Sequence, residues 1–107
     1  MKKILFVASE AVPFIKTGGL ADVVGSLPKY LDKRYFDARV ILPKYMCMKE
    51  EIRNSLEYIG DFYIDYAGTS KYVGVLKKEI DGVIFYFIDN EEYFGGPKPY
   101  GDWLYDI

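Results

Sequence analysis

A chain of 107 residues, half of them hydrophobic and 28% charged, suffices for one small folded domain and is short for two. Its 14 Lys and Arg against 16 Asp and Glu leave a net charge of −2, without the basic footprint a nucleic-acid partner requires. A single cysteine and no histidine exclude an internal disulfide, a Cys/His zinc site and a histidine-based triad within the chain.

Met1-Lys2-Lys3 before the apolar run Ile4 to Ala8 imitates the start of a signal peptide, but Ser9 and Glu10 cut the run short. No later stretch reaches the roughly 18–20 apolar residues of a membrane span. The sequence therefore reads as cytosolic, or plastidic in a plant, with no membrane partner.

Ile4-Leu5-Phe6-Val7-Ala8 is continuous and apolar, the pattern of a strand buried on both faces of a parallel sheet. A loop with Pro13, Lys16, Thr17, Gly18 and Gly19 follows. Leu20, Val23, Val24, Leu27 and Leu31 then recur at helical spacing and predict an amphipathic helix, kinked or divided by Pro28 near Gly25-Ser26. Ala38 to Pro43 reads as a second strand, completing a βαβ unit over residues 1–43. A right-handed crossover places the loop after the first strand at the carboxyl edge of the sheet, where open α/β sheets bind ligands. Met48, Ile52, Leu56 and Ile59 allow one short helix within residues 44–57.

Tyr58 to Tyr66, Tyr72 to Ile80 and Val83 to Ile88 are aromatic and β-branched, separated by Ala67-Gly68-Thr69-Ser70 and by Asp81-Gly82. Asp-Gly between strands favours a type I′ turn, so residues 58–88 form a β-meander whose last strand is apolar enough to join the main sheet. The meander tyrosines are expected to pack, because they alternate within strands and one face must be core. Residues 89–107 form a turn-rich loop ending in Trp103-Leu104-Tyr105-Asp106-Ile107, which reads as a cut through a longer protein. The expected architecture is α/β: one partial, Rossmann-like domain over residues 1–107, a parallel sheet with a β-meander insertion.

The segment Ala11 to Gly25 sets a lysine and two glycines between a strand and the first turn of a helix. The helix N-terminus offers unsatisfied N–H groups and about half a positive charge, glycine lets the backbone approach closely, and Lys16 adds a mobile ammonium. A phosphate or sugar-phosphate suits that loop, and so does a purely structural turn. The spacing is neither the dinucleotide fingerprint nor the Walker pattern, which argues against an NAD-type site.

Read whole, Lys16-Thr17-Gly18-Gly19-Leu20-Ala21-Asp22-Val23-Val24-Gly25-Ser26-Leu27-Pro28 resembles the amino-terminal signature of bacterial glycogen synthases and plant starch synthases. Val7-Ala8-Ser9-Glu10 with Pro13, Ala38 to Pro43, and Tyr86-Phe87-Ile88-Asp89-Asn90 with Tyr100-Gly101 extend the resemblance along nearly the whole chain. It implies a GT-B glycosyltransferase, two Rossmann-like domains facing across a cleft, that moves glucose from ADP-glucose to the non-reducing end of an α-1,4-glucan with retention. ADP-glucose and the glucan would then be the partners of the complete enzyme, and no cofactor or metal is called for. The resemblance gives Lys16 a contact to the sugar nucleotide and has Gly18 and Gly19 present N–H groups near its distal phosphate. Further catalytic residues of the family, a histidine among them, would lie beyond Ile107, leaving these 107 residues inactive alone.

Other residues keep two readings. Asp22 is a substrate contact or simply an acid favoured by the helix dipole. Tyr100 matches a tyrosine the family places near its cleft, suited to stacking on a base or sugar, or is a loop aromatic covering the core. Glu10 reads as a solvated loop acid in preference to a group facing an acceptor glucan. Cys47, between Met46 and Met48, is a partly buried thiol with no chemistry assigned. Two further classes compete with the enzyme: a non-catalytic module for sugar phosphate or glucan, and a structural piece that self-associates through uncovered edges.

Overall fold

The computed structural model describes residues 1–95. Strand β1 (Lys2–Val7) runs parallel to β2 (Phe36–Pro43), with Lys2 opposite Phe36 and Val7 opposite Ile41. Helix α1 (Gly19–Tyr30) makes the crossover between them. The short helix α2 (Glu50–Asn54) precedes the antiparallel pair β3 (Glu57–Tyr66) and β4 (Thr69–Ile80). Strand β5 (Val83–Asp89) pairs antiparallel with β4 and parallel with β2, giving one sheet in the order β1-β2-β5-β4-β3. A four-residue helix, α3 (Glu91–Phe94), follows β5.

The expected mixture of parallel sheet and meander is thus present, with β5 serving both halves. Its alternation explains how: Val83, Phe85 and Phe87 are buried, while Ile84, Tyr86 and Ile88 between them face the other side. The turn from β4 to β5 puts Asp81 at φ 51° and Gly82 at φ 77°, the two positive angles a type I′ hairpin requires. Ala67 and Gly68 form the β3–β4 turn with the same pair of signs, so β4 begins at Thr69, earlier than Tyr72.

Four expectations fail, each for a local reason. β1 is not buried on both faces: it is the edge strand of the described sheet, and Leu5 and Val7 (80% exposed) point away from α1. Helix α1 is rotated relative to its most apolar stripe. It buries Ala21, Val24 and Pro28, leaving Leu20, Val23 and Leu27 exposed. Small residues win that face because the helix lies close against Val12: a Cβ on Gly25 would stand 2.4 Å from Val12 Cγ2 and 2.6 Å from its carbonyl oxygen. Pro28 does not divide α1; it sits in the last turn, where its missing N–H removes one bond near an end that frays anyway. The β3 tyrosines do not join a core face, since every residue of β3 except the half-buried Gly60 is exposed; Tyr63 packs edge-on against the half-buried Tyr72 of β4, ring centroids 5.8 Å apart, and Tyr86 of β5 is half-buried.

The helical spacing of Met48, Ile52, Leu56 and Ile59 yields only the five-residue α2, because Leu56 leaves it and Ile59 belongs to β3. Met48 and Leu56 nevertheless join the core, which gathers Phe14, Val24, Val40, Leu42, Tyr45, Phe85 and Phe87 on the α1 side of the sheet. No helix among the described residues is long and apolar enough to cross a membrane.

Candidate functional site

At the carboxyl end of β1 the chain stays bound to the sheet for one more residue, with the Ala8 N–H donating to the Ile41 carbonyl at 3.0 Å. The Tyr45 hydroxyl then donates to the Ser9 carbonyl at 2.8 Å, from a side chain that is itself buried. Ala11 is fully buried and begins a tight turn, its carbonyl accepting from the N–H groups of Phe14 and Ile15. The Val12–Pro13 peptide within that turn is cis. Phe14 drives its ring into the core, with centroids 4.9 Å from Phe85 and 4.8 Å from Phe87. The Val12 N–H donates to the Ala21 carbonyl at 3.0 Å, tying the turn to the first turns of α1. A polar, glycine-containing loop is thereby held by apolar burial and backbone bonds at its root, while residues 16–20 stay exposed.

Lys16, Gly18, Gly19 and Asp22 come together at this rim. The Lys16 ammonium lies 2.7 Å from Asp22 Oδ2, and both side chains are about half exposed (52% and 54%). Gly18 is the N-cap of α1 with extended backbone and no side-chain cap bond, and Gly19 is the first helical residue. A Cβ on Gly19 would meet nothing within 4 Å, and one on Gly18 only Glu10 Oε1 at 4.0 Å. Neither close packing nor a positive φ therefore calls for glycine at these two positions, in contrast to Gly25. The first amides of a helix lack intrahelical partners, so this rim combines N–H donors, the positive end of the helix dipole and a mobile ammonium. Tyr100 lies outside the described residues.

Glu10 departs from its expected role as a solvated acid. It is 3% exposed, and its Oε2 accepts from the Thr17 backbone N–H at 2.5 Å and from the Thr17 hydroxyl at 2.7 Å. No periodicity signals this contact, because the partners are seven residues apart on opposite sides of the Phe14 turn. Phe14 and Tyr45, the two side chains that fix the root of the loop, were equally without a sequence signal beyond being aromatic. Burial raises the Cys47 thiol above its ordinary pKa, which keeps it protonated and unreactive. Among the described residues no cluster of three or more His, Cys, Asp or Glu is placed to hold a metal ion.

A parallel βαβ unit with its polar loop at the carboxyl ends of the strands, extended by an antiparallel meander, is the architecture of a Rossmann-like α/β domain of GT-B type. The chain belongs to the starch synthase catalytic domain family, whose model matches residues 3–107. It is 61% identical over 106 residues to a glycogen synthase of Lachnospira eligens, covering 99% of this chain and 22% of that protein. It is 58% identical over 107 residues to a glycogen synthase of Lachnoclostridium phytofermentans, covering 100% and 22%. Among solved structures it is similar to the catalytic domain of starch synthase IV from Arabidopsis thaliana bound to ADP and acarbose. That match has a TM-score of 0.75 at 25% identity and covers 94% of this chain and 21% of the other. The chain thus spans about a fifth of the length of the relatives it matches.

Proposed function

We propose that this chain is the amino-terminal part of a cytoplasmic glycosyltransferase that moves glucose from ADP-glucose to the non-reducing end of an α-1,4-glucan, retaining the anomeric configuration. The observation that carries the reading is the Lys16 ammonium standing beside the N-terminus of α1 at two glycines the fold does not itself require. The family match, the glycogen synthases among the relatives, and the ADP and acarbose on the similar starch synthase support the same chemistry.

Breaking the bond between glucose and the nucleotide leaves negative charge growing on a diphosphate oxygen. Donors fixed before the reaction, here the Gly18 and Gly19 amides and Lys16, would stabilise that charge more in the transition state than in the ground state. Asp22 holds Lys16 by an exposed ion pair that an incoming phosphate exchanges at small cost. The glucan acceptor and the rest of the nucleotide need groups supplied by the remainder of the enzyme, so the 107-residue chain alone is expected to be inactive.

Lys16→Ala in the complete enzyme tests this reading. Loss of a charge-assisted phosphate contact should raise the KM for ADP-glucose by about tenfold or more while the KM for glucan stays near wild type. Unchanged donor kinetics would remove Lys16 from the site.

A further inference from the structure

A buried carboxylate needs a reason to be where it is, since desolvation penalises the charge unless hydrogen bonds replace the lost water. The two donors of Thr17 supply such bonds to Glu10. The benefit does not run to Thr17 in the same way, because Thr17 is exposed and water would satisfy its hydroxyl equally well. Nor does Thr17 cap the helix: the N-cap is Gly18, which has no side-chain cap bond. What the contact accomplishes is to fasten the backbone at residue 17, one residue after the lysine and one before the glycine pair.

We propose that Glu10 is a positioning residue of the donor site: its buried carboxylate, gripping Thr17, sets where Lys16 and the Gly18 and Gly19 amides stand. This deepens the donor-site reading and rests on it. Glu10 is a rigid post. It is itself buried, and it lies between Ser9, whose carbonyl is held by Tyr45, and Ala11, which is fully buried at the turn anchored by Phe14. Ile15 is itself held to Ala11 by two backbone bonds and packs on the core, but residues 16–18 after it are exposed. The carboxylate also lies behind the chain at Gly18, where an added Cβ would be 4.0 Å from Oε1. Lys16, by contrast, extends to the solvent side and pairs with Asp22. Freed from Thr17, the loop would explore many backbone arrangements of which few align ammonium and amides together, and donor affinity falls by the fraction lost.

The test is steady-state kinetics of the complete enzyme with Glu10→Gln, Thr17→Val and Thr17→Ser, run beside Lys16→Ala. Thr17→Val, which removes the hydroxyl donor, and Glu10→Gln, which keeps an acceptor oxygen but removes its charge, are expected to raise the donor KM about fivefold to tenfold and to lower kcat, with glucan KM and melting temperature near wild type. Thr17→Ser, which restores the hydroxyl, should bring the donor KM back relative to Thr17→Val. Donor KM within about twofold of wild type in both Glu10→Gln and Thr17→Val, with Lys16→Ala impaired, overturns the positioning role and leaves the donor site standing. No donor effect in Lys16→Ala removes the donor site and the positioning role together. A fall in melting temperature with both KM values rising in parallel assigns Glu10 to fold stability and overturns the proposal. Thr17→Val carries the test if Glu10→Gln does not fold, since Thr17 is exposed.

Discussion

Glycine at a helix start usually has to be excused by conformation, yet Gly18 is extended and Gly19 is helical, with open space where a Cβ would project. Replacing Gly19 with alanine should therefore help the helix, because alanine in a first turn restricts the unfolded chain more than glycine does. The melting temperature of Gly19→Ala is expected to stay level or rise slightly. If a phosphate approaches these amides, the added methyl obstructs it, and the donor KM of the complete enzyme should rise by about tenfold. A variant that is both as stable and as active as wild type would mean that nothing needs that space. The neighbouring ion pair fits the same division between stability and use. Lys16 and Asp22 are each about half exposed, and exposed pairs contribute about 0–1 kcal/mol.

At the scale of elements, α1 shows that close approach outranks the most hydrophobic stripe. Gly25→Ala adds a carbon 2.4 Å from Val12 Cγ2 and 2.6 Å from the Val12 carbonyl oxygen, and backbone cannot rotate out of the way. Alanine's better helix propensity, worth about 1 kcal/mol, opposes an overpacking cost of about 1–3 kcal/mol. A net loss of about 0–2 kcal/mol follows, centred on about 1 kcal/mol and seen as a lower denaturation midpoint; an unchanged midpoint would show that the turn at Val12 yields. The existence of α1 was legible because its spacing is helical, but not its orientation. Leu20, Val23 and Leu27 carry the stronger hydrophobic signal, while Ala21, Gly25 and Pro28 carry the shape that lets the helix sit on a turn seven or more residues upstream. The β4–β5 hairpin was legible because Asp81-Gly82 is a local signal that needs no partner. In the candidate site, Lys16, Gly18, Gly19 and Asp22 were legible as a motif, whereas the Glu10–Thr17 contact exists only once Phe14 has folded the turn between them.

Among the described residues the sheet is covered on one side. On the other face, Leu5, Arg39 and Ile84 stand in one row across three strands, and Val7, Ile41 and Tyr86 in the next. Its lower part is polar, with Arg39 paired to Asp37 at 3.2 Å and hydrogen-bonded to the Tyr86 hydroxyl. The carboxyl end is apolar: Val7, Ile41, Pro43 and Ile88 line a hollow of about 350 Å³. The outer edges of β1 and β3 add unpaired backbone groups at both sides of the described sheet. Relatives some four to five times longer have further chain with which to cover such surfaces, whereas the described residues 1–95 leave them open. We therefore expect this chain, expressed by itself, to self-associate, with a weight-average mass in sedimentation equilibrium that rises with concentration. Val7→Lys tests which surface is responsible. An exposed valine that becomes buried contributes about 1.5–3 kcal/mol, and a lysine in its place adds a desolvation cost, so association through this face should weaken by at least about tenfold. Association that persists unchanged in Val7→Lys would move the contact to the β3 edge, and a monomer at high concentration would show that the open face is tolerated in water.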